Sequence, residues 1–414
     1  MDIRLMRRLD KWIGVPVCMI LTQFALLRSV FQRYTPSPVR RLLFIKLAEQ
    51  GATVLAYPTL RAAVNRLGDQ NVFFLVFEEN RFILDALGII PPQNVIVIRT
   101  SSIAALLAST VSAIYKIRHL HIDASIDMEF FARSSAVLSY LSGARIRVGF
   151  HAFAADFGYR GNLMTHRLSY NPYLHVMQTY LLMFSAINRS SDSFPTFGER
   201  APDLDRDLPL LKFDDEKISK VRQSLARAAQ TDSPLPLILL NANASDLIPL
   251  RRWPSERYVS MAHMLLDRFP ELHIAFTGAP TEVEPVNKLV QQVGSKRCFS
   301  MAGRTTITDL LILYGLAEIL VTNDSGPAHF ATLTPVDVVT LFGPETPFLF
   351  GSPSLRNHSL YANIACSPCV NAFNNRLSSC RDNQCMKMIP VDEVFNTVVK
   401  CYESRRAINT GSVQ

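Results

Sequence analysis

Glycine is sparse, 17 residues in 414, and the turn where a dinucleotide cofactor would sit has only one. That turn, Ala48-Glu49-Gln50-Gly51-Ala52, follows the first buried apolar run. Without a glycine-rich fingerprint it offers no seat for a nicotinamide or flavin cofactor. A membrane-spanning run is also missing. The apolar stretch Trp12 to Leu27 has sixteen residues, interrupted by Gly14, Pro16, Thr22 and Gln23, short of the roughly 20 that a spanning helix needs. No small-residue cleavage site follows it before Arg28, which argues against a secretory signal. Net charge is scarce outside the N-terminus. Of the formal net charge of +8, residues 1–41 supply six, with eight basic residues from Arg4 to Arg41 against Asp2 and Asp10. The nearly neutral remainder lacks the basic face that a nucleic-acid binder needs.

What is present is globular in composition, with 48% hydrophobic residues and 19% charged. A length of 414 residues exceeds one ordinary core and implies two or three domains. Residues 1–40 form a basic, apolar arm suited to an anionic membrane surface. The arm reads as an interfacial or re-entrant helix, with arginines at lipid headgroups and Trp12 at the boundary. A spanning anchor and a helix packed on the protein body are the alternatives.

Beyond Pro36-Ser37-Pro38, Leu42–Leu47 reads as a buried strand and Thr53 to Leu67 has helical periodicity. Further strands are expected at Val72–Phe77, Asn94–Ile98, His119–Asp123 and Arg145–Phe150, separated by segments of helix length. This alternation predicts a doubly wound, mostly parallel α/β sheet over 41–190. A polar, proline-rich connection occupies 191–235 and holds one helix from Asp214 to Ala229. A second alternating series over 236–400 has strands at Leu237–Asn241, His273–Thr277, Glu318–Asn323 and Val338–Phe342, with the short run Phe299-Ser300-Met301 between. Residues 401–414 form a tail. Two such domains joined by one connection predict a ligand cleft between their strand C-termini.

Within the second series, Ile319-Leu320-Val321 runs into Thr322-Asn323-Asp324-Ser325-Gly326-Pro327-Ala328-His329, the pattern of strand, loop and helix start. A helix N-terminus offers unpaired N–H groups and partial positive charge to a phosphate. The plainer reading is a capped helix, with Asp324 or Ser325 satisfying an orphan N–H.

Several motifs then occur in the order of one family. They are Phe44-Ile45-Lys46 with Gly51 and Pro58, Leu240-Asn241 followed by Arg251-Arg252-Trp253-Pro254, Phe276-Thr277-Gly278 with Glu282, Ala302-Gly303-Arg304-Thr305, the Asn323–His329 stretch, and Phe342-Gly343-Pro344. The chain resembles the inverting glycosyltransferases of family nine, the lipopolysaccharide heptosyltransferase type, from about residue 41 to 400. The resemblance implies two Rossmann-like domains facing across a cleft, the arrangement called GT-B. It implies transfer of a sugar, heptose by analogy, from a nucleotide-diphosphate donor such as an ADP-sugar to a glycolipid acceptor, without a required metal. On the donor side it implies Asn241, Arg251, Thr277, Gly278, Glu282, Asp324, Ser325, Gly326 and His329, with Arg251 where the family usually places a lysine on the phosphates.

An inverting transfer needs a carboxylate to take the acceptor's proton. The family carries an Asp directly after the loop glycine, and here that position is Ala52. Glu49 in the same loop is the expected substitute, with Asp123, Asp127 and Glu129 in reserve. A member that binds without turnover and a GT-B nucleotide-sugar epimerase are the rival readings. Arg160 and His166, in the polar and aromatic segment Gly158–His175, are candidates for the acceptor side. Cys366, Cys369, Cys380 and Cys385 have spacings compatible with a structural zinc, and a metal-free loop or redox-labile pair is the alternative. The expected location is cytoplasmic, peripheral on the inner face of the cytoplasmic membrane through residues 1–40.

Overall fold

The computed structural model describes residues 3–31, 38–153, 158–231, 236–244, 248–374 and 376–411. The chain divides into two compact units. One comprises Met1–Leu204 with Asn371–Arg376, and the other Asp205–Val370 with Leu377–Gln414. The division falls inside the proline-rich stretch expected to connect two domains.

The first unit opens with helices α1 (Ile3–Trp12) and α2 (Gly14–Phe31). Strand β1 (Leu42–Ile45) follows, then α3 (Gln50–Leu55), α4 (Tyr57–Leu67), β2 (Val72–Phe77), α5 (Arg81–Leu87) and β3 (Val95–Ile98). The chain continues through α6 (Ile103–His119), β4 (Ala124–Asp127), α7 (Arg133–Leu141), β5 (Ile146–Phe150), β6 (His166–Leu168) and α8 (Val176–Ala186). The sheet order is β3-β2-β1-β4-β5-β6, all parallel. Chain order reverses between β1 and β4, so ligand-bearing loops are expected at the C-terminal ends of those two strands.

The second unit contains α9 (Asp215–Ala229), β7 (Leu237–Asn241), α10 (Ser255–Arg268), β8 (His273–Phe276), α11 (Val283–Val293) and β9 (Cys298–Ser300). After these come α12 (Ile307–Leu316), β10 (Ile319–Asn323), α13 (Gly326–Ala331), β11 (Asp337–Phe342), α14 (Pro347–Phe350) and β12 (Asn357–Tyr361). Helices α15 (Gln384–Lys387) and α16 (Val391–Gly411) complete it. Its sheet is also parallel, in the order β12-β11-β10-β7-β8-β9, with the reversal between β7 and β10. The doubly wound parallel sheets expected from the alternating pattern are therefore present, one in each unit.

Burial follows the sequence pattern. All four residues of β1 and all five of β7 and of β10 are buried, as a strand covered by helices on both faces requires. Each fully buried Leu, Ile or Val stabilises its unit by about 1.5–3 kcal/mol. Trp253, 1% exposed, anchors the core of the second unit, and its indole N–H donates to the Ile389 carbonyl at 3.0 Å.

One strand lies elsewhere than expected. His119–Asp123 is not a strand: His119 ends α6, His121 adopts a left-handed φ of 47°, and the strand begins at Ala124. The helical period of α6, with Ala113 and Ile117 buried four residues apart, carries through the Tyr115–His119 stretch and sets its end. The Thr53–Leu67 periodicity is split into α3 and α4, with Pro58 in the first turn of α4, where a missing N–H costs nothing. The short strands β6 and β12 were not apparent in the sequence pattern.

The basic arm packs on the first unit along one side of α2. Cys18 and Thr22 are buried, and Cys18 joins Ala136, Leu163 and Met164 in an apolar cluster. None of the described helices is long and apolar enough to cross a membrane.

Candidate functional site

In the second unit, the C-terminal ends of β7, β8, β10 and β11 bring their loops together at the sheet's reversal point. Asn323, the last residue of β10, fixes this corner. Its side-chain amide donates to the carbonyls of Ala242 and Asn243, while its oxygen accepts the Trp253 backbone N–H at 3.0 Å and the Tyr258 hydroxyl at 3.2 Å. All of its hydrogen-bonding capacity is used on scaffold. Asn241 accepts the Asn243 backbone N–H, and Asn243, which the sequence did not single out, donates its amide to the Thr277 carbonyl at 3.3 Å.

Asp324 follows, 3% exposed, with its backbone N–H bonded to the Leu341 carbonyl on β11. Its carboxylate lies 3.4 Å from Arg251 Nε, without hydrogen-bond geometry. The other arm of the Arg251 guanidinium donates to Glu345, 1% exposed, in the turn after β11. One arginine thus stands between two buried carboxylates. Burial pushes the Glu345 carboxyl up to about 8, with Arg251 acting against the rise and Asp324 adding to it. Burial also opposes the charge on Arg251, but the two carboxylates hold its guanidinium above the ordinary value. Glu345 was not apparent from sequence. The signal that could have found it is its place directly after Phe342-Gly343-Pro344, in a turn at a strand C-terminus.

Ser325 and Gly326 open α13, and Ser325 Oγ donates to the Asn323 carbonyl at 3.1 Å rather than capping the helix. His329 is buried on α13. The Thr277 hydroxyl is buried, with no hydrogen-bond partner among the described residues. Glu282 accepts the Ala279 N–H at 2.7 Å, closing the loop after Gly278, where an added Cβ would fall 3.2 Å from the Glu282 carboxylate. The sequence-predicted donor-side residues are therefore gathered at one end of one sheet.

At the reversal point of the first unit, Lys46 is wholly buried and donates to Glu49 at 2.7 Å and Glu129 at 2.9 Å. Glu129 also accepts the backbone N–H groups of Leu47 and Ala48. Glu49, left-handed at φ 68°, pairs in addition with Arg376 and keeps 26% of its side chain exposed, more than Glu129 at 11%. Asp127 is fully buried and ion-paired with Arg160. Burial pushes the Asp127 carboxyl up to about 6 despite that arginine.

Asp123 lies at the opposite end of the sheet because β4 starts after it. Its carboxylate accepts the backbone N–H groups of Arg40 and Arg41. Arg160 and His166 are inside the unit rather than on its surface. The Arg160 guanidinium donates to Asp127, Ser135 and the Phe130 carbonyl, and the His166 ring bonds Thr165 and the Arg189 carbonyl. An aromatic cluster lies near this end: half-buried Tyr170 meets the buried Phe130, Phe131 and Phe150 and the exposed Phe373 edge to face.

All seven cysteines are free thiols. Burial raises the Cys385 thiol to about 11, and Cys369, Cys366 and Cys380 are near enough to add to the rise. Ser378 donates to Cys369 Sγ, and the Cys380 thiol donates to the Asp382 carbonyl. Among the described residues no three His, Cys, Asp or Glu side chains are arranged to hold a metal ion. The cysteine loop does brace the donor-side turn, since Cys369 N–H and Val370 N–H both donate to the Pro344 carbonyl.

Solved structures share this architecture. An Escherichia coli ADP-heptose lipopolysaccharide heptosyltransferase II aligns over 88% of this chain and 99% of its own, with a TM-score of 0.64 and 18% identity. A family 9 glycosyltransferase from Veillonella parvula aligns over 88% and 97%, with a TM-score of 0.67 and 17% identity. At such identities the likeness establishes the fold. Among curated proteins, lipopolysaccharide heptosyltransferase 2 of E. coli K12 is 29% identical over 102 residues, 24% of this chain and 29% of the relative. Lipooligosaccharide heptosyltransferase 2 of Campylobacter jejuni is 25% identical over 156 residues, 36% and 46% of the two chains. The aligned part thus spans less than half the length of these curated relatives. The family described as glycosyltransferase family 9 (heptosyltransferase) matches residues 111–377, and with well over half its length so matched, this chain belongs to that family.

Proposed function

We propose that the chain is an inverting glycosyltransferase of lipopolysaccharide-type biosynthesis. It moves a sugar, heptose by family analogy, from an ADP-sugar or related nucleotide-diphosphate donor to a lipid-linked saccharide. The observation that carries this is the Arg251–Asp324–Glu345 cluster at the strand C-termini of the second unit. A guanidinium held between carboxylates at such a place is preorganised for a diphosphate. In the reaction, an acceptor hydroxyl attacks the anomeric carbon from the face opposite the diphosphate. The bond to the diphosphate oxygen breaks, and the negative charge that develops there falls to Arg251 and the N–H groups at Ser325 and Gly326. Removing one such donor costs about 10²–10³ in turnover.

Glu49 takes the proton in this reading. It is the most exposed of the acids at the C-terminal end of β1 and β4, and Lys46 and Arg376 orient it. Both of its oxygens are already engaged by those cations, an observation that favours the second reading, a member that binds donor without turnover. Glu49→Gln separates the two: a transferase that uses Glu49 loses about 100-fold or more in turnover with donor affinity intact. The acceptor and the inner membrane face are approached through residues 1–40, and the protein sits peripherally on the cytoplasmic side. No metal takes part in the transfer. A structural zinc, if held by Cys366, Cys369, Cys380 and Cys385 after the thiols draw together, would brace the Pro344 turn, and native mass spectrometry reading one zinc per chain or none decides it.

The deciding experiment is calorimetric titration with ADP, UDP and GDP on wild type and Arg251→Gln, the variant that removes the cation of the cluster. Selective binding of one diphosphate, lost in the variant, supports the donor assignment. No binding to any by folded protein overturns it.

A further inference from the structure

Helix α6 has a face that none of the other described elements covers. Ile103, Leu107, Val111 and Tyr115, spaced four residues apart, are 54–67% exposed. No charged residue occurs from Ile103 to Tyr115; the basic residues of α6, Lys116, Arg118 and His119, are all in its last turn. A surface helix normally turns charge outward and apolar residues inward. Here Ala113 and Ile117 satisfy the sheet, and a second apolar stripe faces out. Helix α2 repeats the arrangement. Cys18 and Thr22 face the protein, while Met19, Ile20, Phe24 and Leu27 are 54–62% exposed.

These two stripes belong to one layer. The crossovers from β3 to β4 and from β4 to β5 move the chain the same way across the sheet, so α6 and α7 lie on the same face. Leu138 of α7 shares a core cluster with Ala113 and Ile117 of α6, and Ala136 of α7 packs on Cys18 of α2. The row is α6, α7, α2, with its outer surface turned away from the sheet.

We infer that the outer faces of α2 and α6 together dock this protein onto an anionic lipid bilayer. Charge selects this occupant. Helices α1, α2, α6 and α7 carry eight Lys or Arg and one acid, Asp10. The Asp10 carboxylate is itself occupied, accepting the N–H groups of Arg133 and Ser134 at the start of α7. A second copy of the chain would set like charge against like, whereas anionic headgroups complement it and acyl chains take the apolar stripes. The inference extends to α6 the membrane contact proposed above for residues 1–40, and it rests on that reading for the reason a bilayer is near.

The test is sedimentation of the full chain with phosphatidylcholine vesicles, with and without phosphatidylglycerol. Wild type should bind the anionic vesicles, and less so as salt is raised. Leu107→Glu with Val111→Glu should lower partitioning about tenfold or more, as should Ile20→Glu with Phe24→Glu. Hydrogen exchange on vesicle-bound wild type should slow along 103–115, a readout that needs no variant. Vesicle binding by the α6 variant equal to wild type overturns the inference. So does a wild-type dimer that the α6 variant converts to monomer, which would assign the face to a second copy. Nucleotide titration of the same variants keeps the two readings apart. Lost vesicle binding with ADP binding intact upholds both, and vesicle binding without any nucleotide binding leaves the docking surface standing while the transferase reading falls.

Discussion

Glu345 shows how far one residue sets the chemistry of its neighbours. Its folded-state carboxyl is raised above the ordinary glutamate value, chiefly by burial. An acid raised in this way stabilises the fold below its unfolded-state value, near 4.5, and that contribution is lost as pH climbs through about 8. Asp127, raised to about 6, acts in the same direction over a lower range. Glu345→Gln should therefore flatten the upper part of the decline in urea-unfolding stability between about pH 4.5 and 8. Diphosphate binding should follow the same titration, since ionising Glu345 adds negative charge where an anion must bind. ADP affinity is expected to fall as pH rises through about 8 in wild type and to stay level in Glu345→Gln, by calorimetry. An equal fall in both would remove Glu345 from the donor site's electrostatics. At Arg160, substitution by Met would leave Asp127 buried without its cation and should cost about 3–5 kcal/mol, read as a lower denaturation midpoint; a cost under about 1 kcal/mol would mean Asp127 is neutral in the fold.

At the scale of elements, a single hydroxyl ties α2 to the loop before β6, beside the apolar packing of Cys18. Thr22 Oγ1 donates to the Cys18 carbonyl at 2.7 Å and accepts the Asn162 N–H at 3.0 Å. Gly161 makes this approach possible. It sits at φ +66°, and a Cβ there would fall 2.7 Å from the Cys18 carbonyl oxygen and collide with the Thr22 hydroxyl. Thr22→Val keeps the shape but leaves the Asn162 N–H without its partner, a penalty of about 1–3 kcal/mol. Hydrogen exchange in α2 should quicken while the β1–β4 core remains protected. Uniform quickening throughout the first unit would instead make α2 part of that unit's cooperative core.

For the whole molecule, two units with separate cores imply two unfolding events. The chain supplies a reporter for each, since its two tryptophans are Trp12, 74% exposed on α1, and Trp253, buried in the second unit. Trp253 fluorescence in a Trp12→Phe variant should follow one transition. A bound nucleoside diphosphate should raise the midpoint of that transition, by about 2.7 kcal/mol of stability at 100 times its dissociation constant. A single transition seen equally by both tryptophans would show that the units unfold as one.

Local periodicity and turn chemistry were enough to place nine of the twelve strands near their positions and to put Asp324 and Arg251 on loops at one sheet end, because buried parallel strands are short apolar runs and their loops carry the polar residues. The resemblance to the family marked Ala52 as a departure, and the distribution of charge marked residues 1–41 as the basic part of the chain. Tertiary structure decided the partners. Arg160 and His166 look like exposed candidates in a polar segment, yet both are internal, because Asp127 and the Arg189 carbonyl reach them from elements far away in sequence. Asp123 lies away from the strand C-termini because α6 runs on to His119 and delays β4. The exposed stripe of α6 has the spacing of a core-facing helix, and only the folded layer shows that it points outward. A sequence records which residues are apolar or charged, but burial and ion pairing depend on what the rest of the chain brings alongside.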